Sequence, residues 1–333
     1  MRAFEIRRPG IDGLSLVERP RPRPGPGEVL VRVAAVALNY RDLLNVEDPL
    51  GRGIALPRVP CSDAAGEVLA VGPGVTAVHP GQRVVSCFFQ AWEAGPISAP
   101  AMASALGGAI DGVLAEEVLL REGGVVPVPG ELDLAEAATL PCAGLTAWHA
   151  LFESGRLRPG ETVLCLGTGG VSIFALQLAA RTGARAIVVS SSAAKLERAR
   201  GLGAWATVDR SATPDWERPV LELTRGLGVD HVVEVGGAGT LARSIAATRP
   251  GGHIALIGVL TGGQIDPTPV MRKAIRLQGV YVGSRVMLEA FGRAVAATGL
   301  RPVIDRRFPF EEAAAALQAL RAARHLGKLV IEL

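Results

Sequence analysis

Gly167-Thr168-Gly169-Gly170-Val171-Ser172 lies between a short apolar run, ETVLCLG, and a stretch with apolar residues at helical spacing, VSIFALQLAARTGA. Glycines there permit a tight turn and let backbone N–H groups approach a pyrophosphate, which the N-terminus of the following helix also attracts. Ser172 departs from the G-x-G-x-x-G fingerprint by standing where the third glycine is usual, but it is small enough for close packing of helix and strand. The ligand this turn fits is a dinucleotide. The next strand-like run, ARAIVVSSS, ends in Ser190-Ser191-Ser192, and no Asp or Glu occurs from 184 to 196 to hold the ribose 2′-hydroxyl of NAD. Lys195 follows instead. Hydroxyls with a cation suit a 2′-phosphate, each charge-assisted hydrogen bond being worth roughly 1.5–3 kcal/mol. A lysine in the first turn of a helix also opposes the helix dipole unless an anion compensates. NADP(H) is therefore favoured over NAD(H), with Arg210, after the third strand, able to reach the same phosphate.

The elements around these residues alternate strand and helix from about residue 131. ETVLCLG, ARAIVVSSS, ATVDR, VDHVVEVGG, GGHIALIGVL and RLQGVYVGS read as six strands with helical segments between most of them, which predicts an α/β, doubly wound parallel sheet. Ligands bind beyond the carboxyl ends of such strands, so Gly236 (in Val235-Gly236-Gly237) and Gly258-Val259-Leu260 are expected beside the cofactor. Gly283-Ser284-Arg285 follows the sixth strand, where Arg285 would meet a phosphate or cover the cofactor. The first ~130 residues read instead as strands and turns: EVLVRVAAVAL, AAGEVLAVGPGV and PGQRVVSCFF. Residues 90–112 show no clear period and read as a long excursion. The last segment, PFEEAAAALQALRAARHLGKLVIEL, predicts a long helix, a glycine stop and a strand returning to the first domain. The expected boundaries are 1–130 with 284–333 for the β-rich domain, and 131–283 for the dinucleotide-binding one.

Length and composition agree. A chain of 333 residues is too long for one ordinary core, and 49% apolar with 20% charged residues argues against disorder. No uninterrupted apolar run of about 18 residues occurs, and MRAFEIRRPG has no apolar run after its charges, so neither a membrane partner nor a signal peptide is expected. A soluble, cytoplasmic protein is the expectation. The net charge of +3 is small, and no basic stretch with interleaved aromatics suggests a nucleic-acid partner. Cys61, Cys87, Cys142 and Cys165 are too far apart for a disulfide framework or a structural zinc lobe.

Across nearly the whole chain, PGPGEVLVRV, ALNYRDLL, PCSDAAGEVLAVGPGV, GQRVV, AEAATLPCAGLTAWHAL, LGTGGVS, SSSAAKLERARGLGA and HLGKLVIEL resemble the medium-chain dehydrogenase/reductase superfamily. The resemblance implies a chaperonin-10-like (GroES-like) β-barrel catalytic domain split in sequence around a Rossmann domain. It also places Asn39, Ser62 and Cys142 where zinc-dependent members hold their catalytic metal. An amide, a hydroxyl and one thiol are not the three-ligand N/S set zinc requires, and the nearby Asp63 and Glu67 would complete only an unusual site. No metal site is expected, and the chain resembles the zinc-less quinone-oxidoreductase and enoyl-reductase branches, and most of all a group often labelled alcohol dehydrogenase by sequence alone.

Without zinc, hydrogen-bond donors must stabilise oxygen charge during hydride transfer. Asn39 and Tyr40 are the candidates: an amide N–H and a phenol O–H can each donate to a carbonyl, and the phenol can supply a proton. The alternative for Tyr40 is a packed ring with its hydroxyl in water. By resemblance Asp42 organises the loop, Ser62 and Asp63 shape the cleft or relay a proton, and Thr146 packs against the nicotinamide. Lys328, after Gly327, resembles a family pair near the diphosphate, or serves as a helix C-terminal cation. The implied activity is hydride transfer from NADPH to a quinone, enal or other activated carbonyl or alkene, by a homodimer joined at edge strands. Alcohol dehydrogenase activity on small alcohols and cofactor binding without turnover are the alternatives.

Overall fold

The structure, a computed structural model, describes residues 1–258 and 260–333, and Val259, one of the expected cofactor neighbours, lies outside the described residues. The chain forms two compact units, Met1–Leu145 with Val282–Leu333, and Thr146–Tyr281. The first junction falls at 145/146 rather than the expected 130/131. The reason is the helix Leu134–Ala138, whose buried Ala135, Ala137 and Ala138 pack on the sheet of the first unit. Its start is fixed reciprocally: Asp133 Oδ1 accepts from Glu136 N at 2.7 Å, and Glu136 Oε2 accepts from Asp133 N at 3.0 Å.

In the first unit the strand Glu28–Ala37 is central. It pairs antiparallel with Asp63–Val71 along one edge, and along the other with Glu117–Arg121 and the final strand Lys328–Glu332. The C-terminal strand thus returns to the first unit, as expected, and pairs in parallel with Ile304–Pro309 on its far side. The helix before it is shorter than predicted: one 3₁₀ turn, Phe310–Glu312, leads into Ala313–Arg321. Ala323 then takes a positive φ of 52°, which ends helical geometry ahead of the glycine stop. The core of this unit joins Val31, Val33 and Val36 of the central strand to Phe308, Phe310 and Leu317. Burying each such side chain contributes ~1.5–3 kcal/mol.

The second unit contains the six expected strands: β1 (Thr162–Leu166), β2 (Arg185–Ser190), β3 (Ala206–Asp209), β4 (Val229–Glu234), β5 (Thr248–Leu256) and β6 (Arg276–Gly279). All neighbours are parallel, in the order β3-β2-β1-β4-β5-β6. Every residue of β1 is buried, which is why its sequence is an apolar run without alternation. β6 ends at Gly279, short of the expected Ser284. The strand order reverses between β1 and β4, the position where doubly wound sheets open a crevice at their carboxyl edge. Among the described residues, no helix is long and apolar enough to cross a membrane.

Candidate active site

The glycine turn leaves β1 at Leu166 and enters a helix, Gly170–Thr182, that starts from Gly169 without any side-chain cap. Gly167 needs its positive φ of 72° to make the turn, and its N–H donates to Val189 O at 2.7 Å, tying the turn to β2. Ser172 repays the missing third glycine: its hydroxyl donates to Leu166 O at 2.5 Å and binds helix to strand. Thr168 is buried beneath the turn, and Val171 is half-buried in the first helical turn. Four uncapped N–H groups at a helix N-terminus are a ready anion site.

Beside this turn, Ser190 ends β2 in register with Asp209 of β3, so the chain segments after both strands emerge together. Arg210 N donates to Ser190 O at 3.0 Å, and Ser211 Oγ to Ser191 O at 3.1 Å. The guanidinium of Arg210 is exposed. Ser192 caps the helix Ala193–Gly201 by accepting from Lys195 N at 3.4 Å, and the Lys195 side chain is half-buried in that first turn. Ser190, Ser191, Ser192, Lys195 and Arg210 therefore gather at one corner of the carboxyl edge.

At the ends of β4 and β5 a residue the sequence reading missed organises the backbone. The carboxylate of Glu234, fully buried, accepts from Gly236 N at 2.7 Å, Gly237 N at 3.2 Å and Thr240 Oγ1 at 2.7 Å, and also from Ser244 Oγ. An acidic last residue in an apolar strand, followed by Val-Gly-Gly, was the available signal. Gly258 passes so close to this turn that a Cβ would fall 1.7 Å from Val235 O. Leu260, beyond it, is 53% exposed. Thr146, the first residue of the second unit, is buried. Gly283, Ser284 and Arg285 belong to the first unit, as expected for Ser284 and Arg285, and the boundary falls before Gly283 instead of after it. Ser284 caps the helix Arg285–Thr298, accepting from Met287 N at 3.3 Å, and Arg285 pairs with Glu289 at 3.0 Å, so its guanidinium is engaged within its own helix.

In the first unit, the residues around ALNYRD form a buried charged cluster. Asn39 precedes the helix Tyr40–Glu47, and Asp42 Oδ2 accepts from Asn39 N at 2.8 Å, the loop-organising role expected of it. Lys328, only 3% exposed, donates from Nζ to Leu38 O and, at 2.6 Å, to Asn39 Oδ1. Asp63 Oδ1 accepts from Ser62 Oγ at 2.6 Å, and Oδ2 accepts from Cys142 N at 2.9 Å. Burial raises the Asp63 carboxyl above its ordinary range, while the Lys328 ammonium, Ser62 and Asn39 pull it back. Burial likewise lifts Asp42 to about 6, opposed chiefly by Arg41. The Cys142 thiol is pushed up by burial and then by Asp63, which keeps it protonated near neutral pH.

Asn39 Nδ2 is buried and makes no well-aligned hydrogen bond, but it lies near enough to the Asp63 carboxylate to favour its charged form. Tyr40, one residue on, is 45% exposed at the first turn of its helix. Ser62 and Asp63, expected to shape the cleft or relay a proton, are fully buried with their oxygens engaged inside the cluster. Lys328 is enclosed by the first unit, bonded to the loop that carries Asn39.

Two family models match the chain: an alcohol dehydrogenase GroES-like domain over residues 25–130, and a zinc-binding dehydrogenase domain over 170–297. A zinc-type alcohol dehydrogenase-like protein of Schizosaccharomyces pombe is 40% identical over 314 residues, spanning 92% of this chain and 91% of that one. A quinone oxidoreductase of Pseudomonas aeruginosa is 33% identical, covering 91% and 90% of the two chains, and a 2-haloacrylate reductase of a Burkholderia species 30%, covering 91% and 90%. Among solved structures, an NAD-dependent alcohol dehydrogenase superposes with a TM-score of 0.91 at 35% identity over 100% of both chains. A mycobacterial protein complexed with NADPH gives 0.84 at 28% identity, again over 100% of both. Fold and site together define an NAD(P)-dependent oxidoreductase with a GroES-like domain and a Rossmann domain. The chain belongs to the medium-chain dehydrogenase/reductase superfamily.

Proposed function

We propose that this oxidoreductase uses NADPH, works without zinc, and reduces a quinone, an enal or another activated carbonyl or alkene. The observation that carries the proposal is the bonding of the buried cluster. Zinc, which one family model's description implies, does not fit these residues. Asn39 Oδ1 is taken by the Lys328 ammonium and the Ser62 hydroxyl is spent on Asp63, which leaves Cys142 as the one soft donor of the three. A dication brought there would meet a fixed positive charge and too few soft or imidazole donors. Among the described residues, no group of three or more His, Cys, Asp and Glu side chains is arranged to hold a metal.

The nicotinamide supplies hydride when bound. The turn Gly167–Val171 and the uncapped helix behind it hold the diphosphate, while Ser190, Ser191, Ser192, Lys195 and Arg210 hold the 2′-phosphate. Gly236, Gly258 and Leu260 line the cofactor at the carboxyl edge, and Thr146 packs against the nicotinamide. Asn39 Nδ2 and the Tyr40 hydroxyl act as donors to the substrate oxygen, Tyr40 also giving the proton. Lys328, Asp63, Ser62 and Asp42 keep the Asn39 loop in place. A homodimer joined through the open edge of β6, where Arg276, Gln278 and Gly279 are exposed, belongs to the same reading.

The test combines metal analysis with NADPH oxidation against quinones, enals and aldehydes, before and after a chelator. Undiminished turnover of a metal-free preparation supports the proposal. Stoichiometric zinc required for turnover would instead favour alcohol dehydrogenase chemistry, the reading supported by the name of the Schizosaccharomyces relative.

A further inference from the structure

The edge of the parallel sheet opposite the glycine turn holds a second polar site. There the starts of β4, β5 and β6 and the segment 155–161 surround a cavity of about 270 Å³, lined by Arg156, Arg158, Arg249 and Arg276, with His231 and His253 in its wall. The two histidines do not stand alone in their strands, as the sequence suggests: parallel pairing sets them in register, with ring centroids 5.8 Å apart. His231 Nε2 meets Glu161 Oε2 at 2.9 Å, and His253 Nε2 meets Ser154 Oγ at 2.7 Å. Each ring is at least 95% buried and leaves Nδ1 without a hydrogen-bond partner, an arrangement that calls for a ligand or a reason.

The charges around the cavity do not balance. Asp230 is engaged with Arg249 Nε at 2.6 Å and Thr162 N at 2.8 Å, while Glu161 accepts from Arg158 N at 2.8 Å besides meeting His231. These two carboxylates face four guanidinium groups. Cations at this edge can be explained as helix C-terminal caps, but that work is done elsewhere. Lys273 Nζ donates to Ile245 O, Ala246 O and Thr248 O, and Arg276 reaches Ser154 O and Gly155 O at 3.4 and 3.5 Å. Arg156 and Arg158 are left with no carboxylate partner among the described residues.

We propose that this cavity binds a small phosphoryl-type oxyanion, held by the Arg156 and Arg158 guanidinium groups with the His253 imidazole as a neutral third donor. Planar guanidinium groups match such an oxyanion with paired N–H donors. Burial first, and then the nearby His231, Arg276 and His149, hold His253 down to about 4, so its ring is neutral at neutral pH. In the tautomer that donates to the oxyanion, the proton sits on the unpartnered Nδ1 and Nε2 accepts from the Ser154 hydroxyl, 2.7 Å away. The site is independent of the proposed reduction, because it stands at the other edge of the sheet from the coenzyme turn.

The experiment titrates the whole chain with inorganic phosphate and, separately, glycerol 3-phosphate at constant ionic strength, following the ring resonances of the five histidines. Saturable shifts largest at His231 and His253, with the His253 titration moved upward, are expected. Tighter binding of one probe separates free phosphate from a phosphate ester as the source. Arg156→Gln/Arg158→Gln should weaken binding about tenfold or more, since each lost charge-assisted bond carries roughly that factor. Lys195→Ala should leave the signal in place. No saturable shift, shifts equal across all five rings, unchanged affinity in the double variant, or loss of the signal in Lys195→Ala would each overturn the proposal.

Discussion

Lys328 and Asn39 are 289 residues apart in sequence, yet Nζ of one lies 2.6 Å from Oδ1 of the other. The contact is made because the last strand returns to pair with the strand leading into ALNYRD. It puts a permanent cation beside two buried carboxyls, Asp42 and Asp63, whose charged forms it favours. Lys328 bonds neither carboxylate directly, yet removing its charge leaves both carboxyls buried with less compensation, and an uncompensated buried charge is costly.

Lys328→Met should therefore destabilise the protein by ~3–5 kcal/mol in urea unfolding. Lys328→Met/Asp63→Asn should lose less than the two single losses added together, since the stranded carboxylate is gone. Strict additivity would show that Lys328 and Asp63 are not coupled.

Lys195→Ala should weaken NADPH binding by ~1–3 kcal/mol and leave NADH nearly unchanged. The corner formed by Ser190, Ser191, Ser192 and Arg210 motivates this, because strand register brings the β2 and β3 ends together. Titration of intrinsic fluorescence with each cofactor reads the difference. Equal losses for both cofactors would remove the 2′-phosphate from this corner.

The parallel sheet was legible because its signals are local: apolar runs ending in glycine or serine, then helices. The glycine turn was legible for the same reason, and Ser172 proved compatible with it through a bond to Leu166. What the sequence did not disclose depends on register and return of the chain. His231 and His253 read as isolated until β4 and β5 pair. Lys328 read as a neighbour of the diphosphate or a helix C-terminal cation, and its bonds to Leu38 and Asn39 are visible only once the last strand is placed. The expected second boundary at 283/284 falls two residues after the observed one at 281/282, because β6 stops early and the chain passes to the first unit, where Ser284 begins a helix.

Tyr40→Phe should lower kcat ~10²–10⁴-fold if its hydroxyl gives the proton, with cofactor affinity unchanged. The ring is 45% exposed at a helix start, so loss of the hydroxyl should leave stability within ~0.5 kcal/mol. Steady-state kinetics beside cofactor binding separates the two quantities. Unchanged turnover would return Tyr40 to the alternative the sequence also allowed, a packed ring with its hydroxyl in water.

The pH dependence of stability should carry two opposed contributions. His253 is held from 6.5 down to about 4, so across that window the unfolded chain binds a proton the native ring refuses. Its contribution is complete above pH 6.5 and is lost as pH falls toward 4, giving stability that rises with pH. Asp42 is raised from 3.8 to about 6, so the native carboxyl keeps its proton longer than the unfolded one, and its contribution falls as pH rises through the same range. His253→Gln should flatten or reverse the wild-type rise, and Asp42→Asn should steepen it, each by up to ~3 kcal/mol between about pH 4 and 7. Urea midpoints across that range measure both. A slope unmoved by His253→Gln would mean that the ring is not held neutral by its burial beside Arg276 and His231.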